Sequence, residues 1–146
     1  MRCATFRKIA CAIICAGAAG MAPTPTISSS SSIVDLVLKV KAQAYLIEGA
    51  NARHEHEVAV WDTVKLPDGK ILIPGVVTHS TDVVEHPELV SQRLQRYARR
   101  VGRENVIAGA DCGFGGRSYP QIAWAKLRAL VEGAALASKA LGFAAA

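Results

Sequence analysis

From residue 33 onward the apolar positions switch between two spacings. Residues 33–42 are apolar-rich with Lys39 and Lys41 interposed, which predicts the end of a helix. Ala44-Tyr-Leu-Ile-Glu48 is a short continuous apolar run of strand length, so a buried strand is expected. Asn51 follows as a candidate N-cap. Glu55 and Glu57 then occupy the first turns of a helix predicted to reach about Val64. Leu66-Pro-Asp-Gly-Lys70 reads as a turn. Ile71-Leu-Ile-Pro-Gly-Val-Val77 is a second apolar run, with Pro74 and Gly75 predicting a bulge or irregular end.

Pro87 marks a helix start, and Leu89/Val90, Leu94, Tyr97/Ala98 and Val101 recur at helical spacing until Gly102. Asn105-Val-Ile-Ala-Gly109 predicts a third strand, which delivers Asp111-Cys112-Gly113 into a glycine-rich loop. Pro120 opens a last helix, with Leu127, Leu130/Val131 and Ala134 as its apolar stripe. Apolar strands alternating with helices predict an α/β fold with a parallel sheet. Three strands are few for such a sheet, and the pattern reads as part of something larger.

The first 32 residues follow a different rule. Arg2, Arg7 and Lys8 precede an apolar run over residues 9–19, and Ala16-Gly-Ala18 offers a cleavage site, the three parts of a secretory signal. The apolar run is shorter than the roughly 20 residues a spanning helix needs, so no membrane segment is expected. A Pro/Thr/Ser stretch over residues 22–32 cannot bury a core and is expected to be disordered. A true export leader competes with an unrelated start joined to a coding sequence cut short. The second is preferred, and residues 33–146 are taken as the folded domain.

Composition changes this picture little. With 146 residues, 51% hydrophobic and 20% charged, the chain suits one globular domain. The net charge of +5 gathers in Arg93, Arg96, Arg99, Arg100 and Arg103. On a helix these cover several faces without interleaved aromatics, so a solvated surface is preferred to a nucleic-acid stripe. Cys3, Cys11 and Cys15 are crowded near the start and Cys112 stands alone, a spacing that fits neither a disulfide framework nor a zinc knuckle.

Glu48, His79 and Cys112 fall at or just beyond the C-terminal ends of the predicted strands. Parallel α/β folds build their active sites on that edge. A carboxylate, an imidazole and a thiol are also the donor and acid/base types of a zinc site. Each has a plainer role available. A lone cysteine is usually a small buried apolar residue, Glu48 has Arg53 within reach for an ion pair, and His79 can satisfy loop backbone. His54 and His56 lie two apart and point to different sides of a helix, so a polar helix start is preferred to a metal clamp, which wants i, i+4 spacing.

Four blocks carry a wider likeness: Glu48-Gly-Ala-Asn-Ala-Arg-His-Glu-His-Glu57, Leu66-Pro-Asp-Gly-Lys-Ile-Leu-Ile-Pro-Gly-Val-Val77, Val84-Glu-His-Pro-Glu-Leu89 and Gly102-Arg-Glu-Asn-Val-Ile-Ala-Gly-Ala-Asp-Cys-Gly-Phe114. Their order and spacing resemble the cobalamin-independent methionine synthase family, above all its single-barrel relatives, over residues 33–141. The resemblance implies about three βα units from the C-terminal part of a TIM barrel. It implies zinc as cofactor, Glu48 and Cys112 as metal ligands, and His79 as the catalytic acid that protonates the leaving group. It implies transfer of a methyl group from a methyltetrahydrofolate-like donor to a homocysteine-like thiol, in methionine biosynthesis. Zinc suits that chemistry because coordination deprotonates a thiol that is otherwise mostly protonated at neutral pH. A folate amine leaves poorly, which calls for a general acid.

The family's remaining ligands, a His-x-Cys pair, belong upstream of residue 33. No such pair occurs there, since the first histidine is His54. A full barrel takes about 250 residues. The chain is therefore expected to be an incomplete or inactive fragment, and a cytoplasmic location with reduced cysteines is preferred to export. Three alternatives stand beside it: a non-catalytic remnant or partner-dependent fragment, an alkyl transferase to another thiol such as coenzyme M, and a small exported α/β binding protein.

Overall fold

The structure, a computed structural model, describes residues 30–116 and 118–142, with side chains from Val34 onward. Residues 1–29, with the signal-like run, its cysteines and most of the Pro/Thr/Ser stretch, lie outside the described residues, while residues 30–32 of that stretch are helical rather than disordered. The chain runs α1 (Ser30–Leu38), β1 (Ala44–Ile47), a 3₁₀ helix (Glu55–Asp62), β2 (Ile71–Val77), α2 (Pro87–Val101), a short 3₁₀ turn (Arg103–Asn105), β3 (Gly109–Ala110) and α3 (Pro120–Ala140). The strands form one parallel sheet in the order β1-β2-β3. Among the described residues no helix is long and apolar enough to cross a membrane.

Strand pairing follows from the apolar runs. Tyr45 aligns with Leu72 and Leu46 with Ile73. Tyr45 and Leu72 are buried in a cluster with Ala42, Trp61 and Tyr97. Leu46, Ile71 and Ile73 alternate to the other face and stay half-buried, so that face is less covered. Between β2 and β3 the register shifts at Gly75/Val77, where Pro74 has no N–H to donate. The third strand is shorter than expected. Val106 makes only an isolated bridge to Leu72, and Ile107 N donates to the Leu72 carbonyl before regular pairing resumes at Gly109.

The segment after β1 forms a 3₁₀ helix rather than the expected α-helix. Its apolar residues Val58 and Trp61 are three apart, the spacing that stacks on one side of a 3₁₀ turn. Helix α2 is capped by His86, whose Nδ1 accepts from Glu88 N at 3.2 Å, and it ends at Gly102 with φ of 90°. Its buried face carries Val90, Leu94, Tyr97 and Ala98.

Two sequence expectations need correction here. Arg93 is not part of a solvated surface: it is buried, donating to Glu55, to the Val76 carbonyl at 3.1 Å and to the Ala50 carbonyl at 3.2 Å. Arg96, Arg99, Arg100 and Arg103 do remain exposed. In α3, Val131 points outward at 69% exposure instead of joining the core. The helix turns Lys126, Ala129, Gly133 and Ala137 inward, because α2 packs so closely that a Cβ on Gly133 would sit 2.4 Å from Val90 Cβ.

Candidate functional site

Parallel pairing puts the C-terminal ends of all three strands on one edge. Glu48 directly follows β1, Thr78-His79 follows β2, and Asp111-Cys112 follows β3. The edge is held together by Asp111, which is fully buried. Its Oδ1 accepts from the backbone N–H groups of Gly49 (2.8 Å) and Ala50 (2.9 Å), and its Oδ2 accepts from Asn51 Nδ2 (3.0 Å). Asn51 Nδ2 also donates to Glu48 Oε2 at 2.8 Å. One carboxylate just past β3 thereby fixes the loop that leaves β1, and through Asn51 it orients Glu48. A backbone N–H pair aimed at a carboxylate is a strong, charge-assisted arrangement.

Glycine is required where this carboxylate enters the sheet. A Cβ on Gly75 would lie 2.1 Å from Asp111 Oδ1 and 2.7 Å from its Cα. On Gly49 a Cβ would meet the Tyr97 hydroxyl at 2.4 Å. Burial pushes the Tyr97 phenol well above its ordinary value of 10.0, reinforced by the negative charges of Asp111, Glu57 and Glu55 against the opposing pull of Arg93.

The sequence-derived candidates are placed unequally. Glu48 is largely covered, with its side chain 11% exposed. Its partners are Asn51 and His54, whose Nε2 lies 3.6 Å from Glu48 Oε2, and not the expected Arg53, which is exposed. His54 Nδ1 lies 3.1 Å from Glu57 Oε2 in a geometry that makes no hydrogen bond. His56 is exposed, so the two histidines diverge as their spacing predicts. His79 is 8% exposed, and its Nδ1 is buried without a hydrogen-bond partner. Cys112 is exposed, unlike the buried apolar cysteine of the plainer reading. Asn51 is no helix cap: its Oδ1 accepts from Arg53 N at 3.0 Å in a turn, while its amide nitrogen serves Glu48 and Asp111.

Among the described residues no group of three or more His, Cys, Asp or Glu side chains converges to hold a metal ion. Glu48 and Cys112 are donors of the kinds zinc accepts, but three protein donors make a catalytic zinc site. On its described residues the chain offers an incomplete donor set.

Sequence reasoning passed over Asp111 and Asn51 as working parts, and Glu85 and Lys126 altogether. A signal for Lys126 existed: it falls in helical phase with Ala129, Gly133 and Ala137, the buried face of α3.

No family model and no curated protein matches the chain. Among solved structures it is similar to a B12-independent methionine synthase from Shewanella sp. W3-18-1, determined in complex with selenomethionine. The TM-score is 0.67 at 22% identity, over 80% of this chain and 33% of that one. The chain thus spans about a third of that protein's length. At this identity the likeness is one of fold: a mixed helix/strand unit with a small parallel sheet.

Proposed function

We propose that this chain is a methionine-synthase-like unit, corresponding to about three βα units from the C-terminal part of a TIM barrel, which contributes half of a zinc-dependent site for methyl transfer to a thiol. Glu48 and Cys112 are its metal-binding side chains, and His79 is the acid that hands a proton to the departing amine of the methyl donor. The thiol is homocysteine-like and the donor methyltetrahydrofolate-like. A thiol ligand must stay reduced, so the unit belongs in the cytoplasm.

The observation that carries this reading is the Asp111 bridge. A strand-end carboxylate, Glu48, is tied through Asn51 to Asp111, a buried group at the end of another strand, and the residue that follows Asp111 in the chain is Cys112. Partners that orient a metal's ligands take this form in metalloenzymes, and their loss weakens the site. The fold likeness and the four ordered sequence blocks support the same reading.

The incomplete donor set favours one particular version of it. With two such donors among its described residues, the chain acts with a partner that supplies the rest, and alone it is not expected to turn over substrate. Cobalt(II) spectroscopy tests the assignment, with Cys3, Cys11 and Cys15 changed to serine so that one thiol remains. A thiolate-to-cobalt absorption band is expected, lost in Cys112→Ser and diminished in Glu48→Gln. Absence of such a band in the chain that keeps Cys112, with cobalt in excess, removes Cys112 from the ligand set and the proposal with it.

A further inference from the structure

Lys126 is fully buried in the middle of α3, and the group it neutralises lies in the loop between β2 and α2. Its ammonium donates to Glu85 Oε2 at 2.9 Å and to the Val83 carbonyl. The other oxygen of that carboxylate, Glu85 Oε1, accepts from Thr78 N at 2.6 Å. Thr78 Oγ1 in turn pairs with Ser80 Oγ at 2.8 Å and accepts from Ser80 N at 3.2 Å. Both ends of the loop are therefore gathered onto one ammonium, and the residue enclosed between Thr78 and Ser80 is His79.

The ring of His79 gets no such help at Nδ1, which has no hydrogen-bond partner. Its placement then depends on the backbone to either side. Stability does not by itself account for a buried ion pair here, because well-packed neutral residues often do as well or better. What the pair supplies is position: a short chain of contacts from a rigid helix to the amide that precedes His79.

We propose that Lys126 and Glu85 are positioning residues for His79, setting where its imidazole stands at the strand-end edge. The inference rests on the methyl-transfer reading for the purpose of that imidazole. That reading is decided separately, by Cys112-dependent metal binding in the chain with Lys126 and Glu85 intact, so either can fail alone.

The test uses the full chain with both charges removed and volumes kept, Glu85→Gln with Lys126→Met. Removing only one partner would strand a buried charge. Amide hydrogen exchange and the NMR signals of the His79 ring are recorded well below the unfolding temperature. The expected result is cooperative unfolding retained, exchange at Thr78 faster by about tenfold or more relative to Val76, and a single His79 ring environment that broadens or splits. A merely structural pair would change the unfolding midpoint and the exchange at Thr78, whose amide Glu85 holds, and leave the His79 ring environment as it was. That result, in a folded variant, overturns the proposal. Should the double variant not fold, the unmutated chain decides: Thr78 N–H protected like the β2 amides supports the latch, and exchange as fast as an open loop amide refutes it.

Discussion

Changing Asp111 to asparagine probes the strand-end edge with the least change of shape. The new amide oxygen can still accept from Gly49 N and Ala50 N, which now sit 2.8 and 2.9 Å from Oδ1. The new amide nitrogen cannot accept from Asn51 Nδ2, now 3.0 Å from Oδ2, so two donors face each other. Asn51 must turn its oxygen toward position 111. Its nitrogen then leaves Glu48 and its oxygen leaves Arg53 N. Two hydrogen bonds are lost outright, the one to the charged Glu48 acceptor worth about 1.5–3 kcal/mol, and the three at position 111 weaken to neutral ones. The net expectation is about 2–4 kcal/mol of lost stability. For a small domain, urea slopes of about 1–3 kcal/mol/M translate this to a midpoint lower by about 0.7–4 M with the slope unchanged. A cycle with Asn51→Ala should show coupling of about 1 kcal/mol or more, since the two side chains touch. An Asp111→Asn midpoint equal to that of the native chain, or strict additivity with Asn51→Ala, would refute the bridge.

Two further outcomes follow from close packing. Gly133→Ala should destabilise by about 1–3 kcal/mol, although alanine is the better helix former, because its Cβ would press on Val90 and the Pro87 carbonyl; a higher urea midpoint would show that α2 and α3 are not so close. Tyr97 adds a pH dependence. Its phenol pKa is raised on folding above 10.0 by burial and nearby carboxylates. The stabilisation this gives is complete below that value and is lost as pH rises, when the unfolded chain sheds a proton that the folded chain keeps. Unfolding midpoints measured across the alkaline range should therefore fall less steeply in Tyr97→Phe; parallel curves would contradict this.

The backbone plan was legible because it is written in local chemistry. Pro87, Gly102 and Pro120 punctuate the helices where they stand in sequence, and the apolar runs at 44 and 71 pair in register. Glu48, His79 and Asp111-Cys112 reach one edge because three parallel strands end there. What was not legible depends on partners distant in sequence. Val131 matches the helical period of α3, yet the buried face is set by how closely Gly133 lets α2 approach. Arg93 reads as one more surface arginine until Glu55 and the carbonyls of Val76 and Ala50 surround it. Asn51 precedes a helical segment and so resembles a cap, but an acceptor 60 positions away claims its amide.

On the proposed reading, Cys112 and Glu48 are two donors of one metal site. A zinc titration against a competing chelator tests it most directly, on the full chain with Cys3, Cys11 and Cys15 changed to serine. One zinc bound more weakly than micromolar is expected, abolished by Cys112→Ser and weakened by Glu48→Gln. Binding tighter than micromolar that persists in Cys112→Ser would contradict it.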